Sequence, residues 1–166
     1  MRLTREQAHF ATIRNPKSGL LFECRAYVHP VDAYAHLVVT AKDEEASQAH
    51  YGYRARGDAD LYCGARTDDW AAGTGYCSID TSEGVAPTGA GIGAILYFAA
   101  ALFVDRNEVG TALLSRVGYR SAAAERLWDK MVDHGVARRT GRMLGERDRL
   151  FAQDVRRTGL VVWEAA

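Results

Sequence analysis

The longest apolar stretch of the chain, Ile92 to Val104, begins within the segment Thr88-Gly89-Ala90-Gly91-Ile92-Gly93. Together the two limit the fold more than any other feature. The stretch falls well short of the roughly 20 residues a membrane span needs, so it predicts a buried helix. The glycines let backbone amides approach a ligand with no Cβ in the way. A helix starting behind them points unpaired N–H groups and the positive end of its dipole at an anion. Thr88, Gly89, Ala90, Gly91, Ile92, Gly93 and Ala94 are therefore a candidate pyrophosphate cradle. The competing reading is a tight strand-to-helix turn in an ordinary α/β core.

At 166 residues, 48% of them hydrophobic, the chain predicts one globular domain spanning 1–166, large enough to bury a core without metal or disulfide staples. Its 21 basic residues equal its 21 acidic ones, so no global field argues for nucleic acid or a membrane surface. The exception is local. From Arg138 to Arg157, seven arginines stand against Glu146, Asp148 and Asp154. That is a solvated face or an anion-binding patch. Cys24, Cys63 and Cys77 form no C-x-x-C pair, and His9, His29, His36, His50 and His134 are scattered, so neither a disulfide framework nor a metal site is signalled. The opening residues Met1-Arg2-Leu3-Thr4-Arg5-Glu6 lack the apolar core of a signal peptide, so the default expectation is a reducing, cytoplasmic setting.

Along the chain, Thr4 to Ile13 reads as a short helix followed by the turn Asn15-Pro16-Lys17-Ser18-Gly19. Leu20 to Val28, Ala35 to Ala41, Asp60 to Ala65 and Tyr76 to Ile79 read as strands, with Lys42 to Gly57 ambiguous. Gly110 to Val117 reads as a strand after the apolar helix. Ser121 reads as an N-cap for a helix over Ala122 to His134, with Gly135 closing it. A further helix within Arg138 to Arg157 and a strand over Gly159 to Trp163 complete the order. Strands first, then strand–helix–strand–helix–strand, predict a mixed α/β domain.

This order resembles the GNAT acetyltransferase superfamily. The family's acyl-CoA motif, Gln/Arg-x-x-Gly-x-Gly/Ala, follows its fourth strand and opens its third helix. Gly91-Ile92-Gly93 supplies the last three positions, with Thr88 where Gln or Arg is usual. A second family pattern, Asn-x-x-Ala-x-x-hydrophobic-Tyr, is matched by Ser121 to Trp128, so an indole stands near the family's tyrosine acid. The resemblance covers roughly 75 to 136, and it is similar also to small GNAT-like proteins carried by bacteriophages, some of them virion components. It implies a GNAT-like central mixed, largely antiparallel sheet flanked by helices. It also implies acetyl-CoA as co-substrate and transfer of an acyl group to an amine.

Such a reaction needs a donor for the thioester carbonyl and a base for the ammonium. The resemblance implies that the donor is a backbone amide of Thr81 to Val85, near the end of the family's fourth strand, and the candidate bases nearby are Asp80 and Glu83. The run Asp80-Thr81-Ser82-Glu83-Gly84 is equally good loop sequence. Tyr119 and Ser115 are the nearest hydroxyls for a replacement acid, and each also suits a strand-end hydrogen bond. Cys63 and Cys77 lie in strand-like segments, where inert buried thiols are usual.

Three readings stay open: an acyl-CoA-dependent N-acyltransferase, a non-catalytic GNAT-like scaffold such as a virion or partner-binding protein, and a nucleic-acid binder. The last would act through Arg138 to Arg157 and the aromatic–arginine cluster His50 to Arg56.

Overall fold

A computed structural model describes residues 6–29, 34–62, 78–85, 91–108, 112–115, 122–139 and 148–166. The first strands alternate in burial, as a sheet covered on one face requires. In β2 (Leu21–His29) Phe22, Cys24, Ala26 and Val28 are buried, and in β3 (Tyr34–Ala41) Ala35, Leu37, Val39 and Ala41 are. Ala59 and Leu61 continue the pattern in β4 (Arg56–Tyr62). These strands pair antiparallel with β1 (Glu6–Arg14), β5 (Ser78–Val85) and β9 (Val161–Glu164) in the order β5-β4-β3-β2-β1-β9.

Against the buried face lies α2 (Ile92–Asn107), whose residues from Ile95 to Val104 are all buried. A helix apolar around its whole circumference must be enclosed on every side. The sheet strands β1, β3, β4 and β5 touch it, as do α3 (Ala122–Asp133), α4 (Ala152–Arg157), β6 (Leu113–Leu114) and β8 (Arg149–Leu150). Strands β6 and β8 form a small antiparallel sheet with β7 (Ala137–Arg138) in the order β6-β8-β7. The molecule is thus a mixed α+β protein with a largely antiparallel sheet flanked by helices. Among the described residues no helix is long and apolar enough to cross a membrane.

Several sequence expectations are corrected. The segment expected as a helix over Thr4 to Ile13 is strand β1 from Glu6 onward. The reason is a bulge. Between Gln7 and Ala11 the strand advances four residues while its partner β2 moves only from Ala26 to Cys24. The slip breaks the alternation, leaving Phe10, Ala11, Thr12 and Ile13 buried in one run, which hides the strand's period of two. The ambiguous Lys42 to Gly57 holds α1 (Glu44–Tyr51), capped by the Asp43 side chain, which accepts from the Ala46 amide at 3.1 Å. Strand β5 runs on to Val85, so Asp80 to Gly84 is extended chain rather than a loop. Gly135 ends α3 in the left-handed region at φ +73 as expected, while the proposed cap Ser121 lies outside the described residues.

Ser47 ties α1 to the sheet. Its buried hydroxyl donates to the Tyr53 carbonyl at 2.8 Å and accepts from the Ala55 amide at 2.8 Å. Replacing it with alanine strands two backbone groups, so Ser47→Ala is expected to cost roughly 1–3 kcal/mol, read from urea unfolding midpoints.

Burial, aided by the nearby Glu23 carboxylate, pushes the Cys24 thiol well above its ordinary range. Above ~pH 8.5 the unfolded chain releases that proton while the folded chain keeps it. Stability is therefore expected to fall with rising alkaline pH by up to about 1.4 kcal/mol per pH unit from this group. Unfolding titrations of wild type and Cys24→Ala should differ by that slope.

Candidate functional site

Six residues, 86–91, separate the carboxyl end of β5 from the amino end of α2, and the candidate cradle spans that junction. Gly91 is the N-cap residue of α2, with φ +91 and ψ 2, and supplies no side-chain cap. By helix geometry the amides of Ile92, Gly93 and Ala94 have no intrahelical acceptor. No acidic side chain stands in this first turn, so the dipole's positive end is uncompensated by the helix itself. Thr88, Gly89 and Ala90 lie outside the described residues.

The two described glycines of the motif meet the protein's own side chains. A Cβ on Gly91 would sit 2.7 Å from Oδ1 of Asn15, and one on Gly93 would sit 3.2 Å from Cδ2 of Leu127 on α3. Asn15 is the residue that sequence reasoning missed. It is fully buried at the β1–β2 turn, where Oδ1 accepts from the amides of Lys17 (2.9 Å) and Ser18 (3.4 Å). Its Nδ2 donates to the Tyr51 hydroxyl at 3.3 Å. One side chain therefore joins the first turn, the end of α1 and the start of α2. The Asn-Pro start of the turn was legible, but its distant partners were not.

Strand β5 is the edge of the large sheet, and its register against β4 slips once. Asp60 pairs with Thr81 and Leu61 with Ile79, leaving Asp80 as the extra residue of a bulge. Bulges leave a residue out of the ladder and recur beside active sites. Glu83 lies opposite Asp58. β6 contacts β5 yet hydrogen-bonds to β8 instead, so β5's outer edge is unpaired among the described strands. Of the candidate catalytic residues, Asp80 and Glu83 thus share β5, and Tyr119 lies outside the described residues. The Ser115 hydroxyl, at the end of β6, accepts from the Asp148 amide at 3.0 Å.

Trp128 is a core residue, 1% exposed, meeting Tyr97 of α2 edge-on at 5.2 Å between ring centroids. The arginine-rich segment is laced with ion pairs. Arg138 and Arg157 both bind the buried Asp154 carboxylate, Arg139 pairs with Asp129 and Asp148, and Arg156 joins Asp105 to Glu164. The His50 to Arg56 cluster is likewise committed: His50 and Tyr51 meet edge-on, Arg54 donates to the Ala41 carbonyl, and Arg56 pairs with Asp58. Among the described residues no group of three or more His, Cys, Asp or Glu has the placement to hold a metal ion. Comparisons with protein-family models, characterised proteins and solved structures return no match.

The two glycines are expected to respond differently to a methyl group. Gly91→Ala forces a left-handed backbone on alanine and drives its Cβ into Asn15, so a loss of roughly 1–3 kcal/mol is expected. Gly93→Ala meets only the mobile end of Leu127 and gains helix propensity, so stability should stay within about 1 kcal/mol of wild type. Thermal or urea unfolding of the pair checks the contrast.

Proposed function

We propose that the protein is an acyl-CoA-dependent N-acyltransferase of GNAT-like architecture that transfers an acetyl or related acyl group to an amine in the cytoplasm. The observation that carries this reading is the β5–α2 junction. A helix start with no side-chain cap and no acidic side chain in its first turn follows the carboxyl end of a bulged edge strand that pairs with no described strand but β4.

In this reading the amides at 92–94, with Thr88 to Gly91 before them, hold the diphosphate of acyl-CoA. The outer backbone groups of β5, unpaired among the described strands, suit the amide-bearing arm, which can lie along the edge as an added strand does. A backbone amide from Thr81 to Val85 would polarise the thioester carbonyl, and Asp80 or Glu83 stands close in sequence as a proton acceptor. Tyr119 is the hydroxyl proposed to protonate the leaving thiolate. Acyl-CoA itself supplies only the activated acyl group. The ion pairs of Arg138, Arg139, Arg156 and Arg157 weigh against the nucleic-acid reading, since those charges are already met by carboxylates.

A second reading has its own support. Asn15 and Leu127 fill the faces of Gly91 and Gly93, which is what a scaffold using these glycines for packing alone would require. Such a protein would serve as a partner-binding or virion component, with no acyl-CoA bound.

Calorimetric titration with acetyl-CoA and free coenzyme A separates the two. The informative variant is Ala94→Glu, because a carboxylate in the first turn favours the helix by roughly 0.3–1 kcal/mol while repelling a diphosphate. Micromolar binding by wild type, lost in Ala94→Glu with the melting temperature kept, is the expected outcome. No binding by wild type at millimolar ligand would replace the acyltransferase with the scaffold.

A further inference from the structure

On the face of the sheet opposite α2, one cross-strand row runs Tyr27–His36–Asp60–Thr81, from β2 through β3 and β4 to the bulged edge strand β5. Directly opposed residues of antiparallel strands share a face. Within this row, His36 Nδ1 lies 2.8 Å from Oδ1 of Asp60. An ionised carboxylate only accepts, so the contact places the neutral ring's proton on Nδ1 and its lone pair on Nε2. Asp60 is the described partner of that ring, and both side chains are about one-third exposed, at 34% and 29%. A base oriented by a carboxylate, on a side chain one-third exposed, has the form of an activated proton acceptor.

Its place is as informative as its form. Asp60 pairs with Thr81 at the register slip, so the dyad ends at the bulge that frees Asp80. Neighbouring strands lie about 4.8 Å apart. A ligand nitrogen over β4 is then within reach of the His36 ring, directly or through one water, while facing β5. His36, rather than the sequence-expected Asp80 or Glu83 of β5, is the candidate base whose ring a described hydrogen bond orients.

We infer that His36, positioned by Asp60, takes the proton from the acceptor ammonium, and that the acceptor is a primary amine bound over β4 and β5. The inference rests on the acyltransferase reading above. The ammonium gives one proton to Nε2, which passes it on to solvent. The freed nitrogen lone pair forms the bond to the acyl carbon as the C–S bond breaks, and sulfur leaves with that electron pair. The nitrogen then loses a second proton, matching the one the thiolate takes up. The net products are amide, coenzyme A thiol and one released proton. By register, the charged or titratable residues flanking His36 on this face are Tyr34 on β3, Asp58, Asp60 and Tyr62 on β4, and Arg25, Tyr27 and His29 on β2. Asp58 is engaged by Arg56 and Arg25 by Glu23.

The test measures acetyl-CoA binding by calorimetry and thiol release with spermidine and with Nα-acetyl-lysine amide as amine probes. Both are run across the neutral to alkaline range. In His36→Gln, binding should be unchanged and thiol release at neutral pH should fall roughly 100-fold. The gap should close as pH rises and the amine deprotonates unaided, which a merely structural role would not produce. Asp60→Asn should shift the pH profile, and Asp60→Glu should restore part of it. Wild type that binds acetyl-CoA but releases no thiol with either amine overturns the inference. So does His36→Gln with the wild-type rate and profile. Absence of acetyl-CoA binding overturns the acyltransferase reading itself, leaving His36 and Asp60 a cross-strand ion pair.

Discussion

Helix α2 is the constraint on which the rest of the structure depends. From Ile95 to Val104 it presents no polar face, so water must be excluded from all sides of it at once. A six-stranded sheet can cover one side only. The other sides fall to α3, α4 and the small sheet, which explains why the carboxyl-terminal elements, some only two residues long, fold over the same helix. Edge-on packing of Phe10 against Phe103 and of Trp128 against Tyr97 closes two of those sides with rings in the geometry aromatic pairs prefer.

The enclosure of α2 leaves its amino end as the point where core and site meet. Asn15 lies buried there, holding the β1–β2 turn, Tyr51 and the backbone of Gly91 in one arrangement. The left-handed conformation of Gly91 thus has two causes acting together: it starts the helix, and it makes room for an amide side chain. The proposed ligand-binding role uses a different part of the same residues, the N–H groups that point along the axis. Packing against the side of a helix start and binding beyond its end are compatible in principle, and for that reason the glycines alone do not choose between them.

The charge distribution follows the same logic of local satisfaction. The seven arginines between Arg138 and Arg157 suggest an anion-binding patch when read along the chain. In space, Asp105, Asp129 and Glu164 arrive from α2, α3 and β9 to join Asp148 and Asp154. The buried Asp154 needs two guanidinium groups because an unpaired carboxylate there would carry a large desolvation cost. The face of the large sheet opposite α2 behaves likewise, with Glu23–Arg25, Arg56–Asp58 and His36–Asp60 each paired.

By itself the sequence determined the mixed α/β class, strands β2 and β3, the buried helix α2 and the stop of α3 at Gly135. Those signals are local: alternation at period two, an unbroken apolar run, and a glycine where the backbone turns left-handed. It misread β1, because a bulge defeats alternation, and it ended β5 at Ile79, taking the polar edge-strand residues Asp80 to Gly84 for a loop. Only the tertiary structure decided which residues meet. Asn15 reaches Gly91 across 76 positions, and His36 reaches Asp60 across 24. Such pairs are fixed by sheet register and by the demand to enclose α2, and neither leaves a periodic trace along the chain.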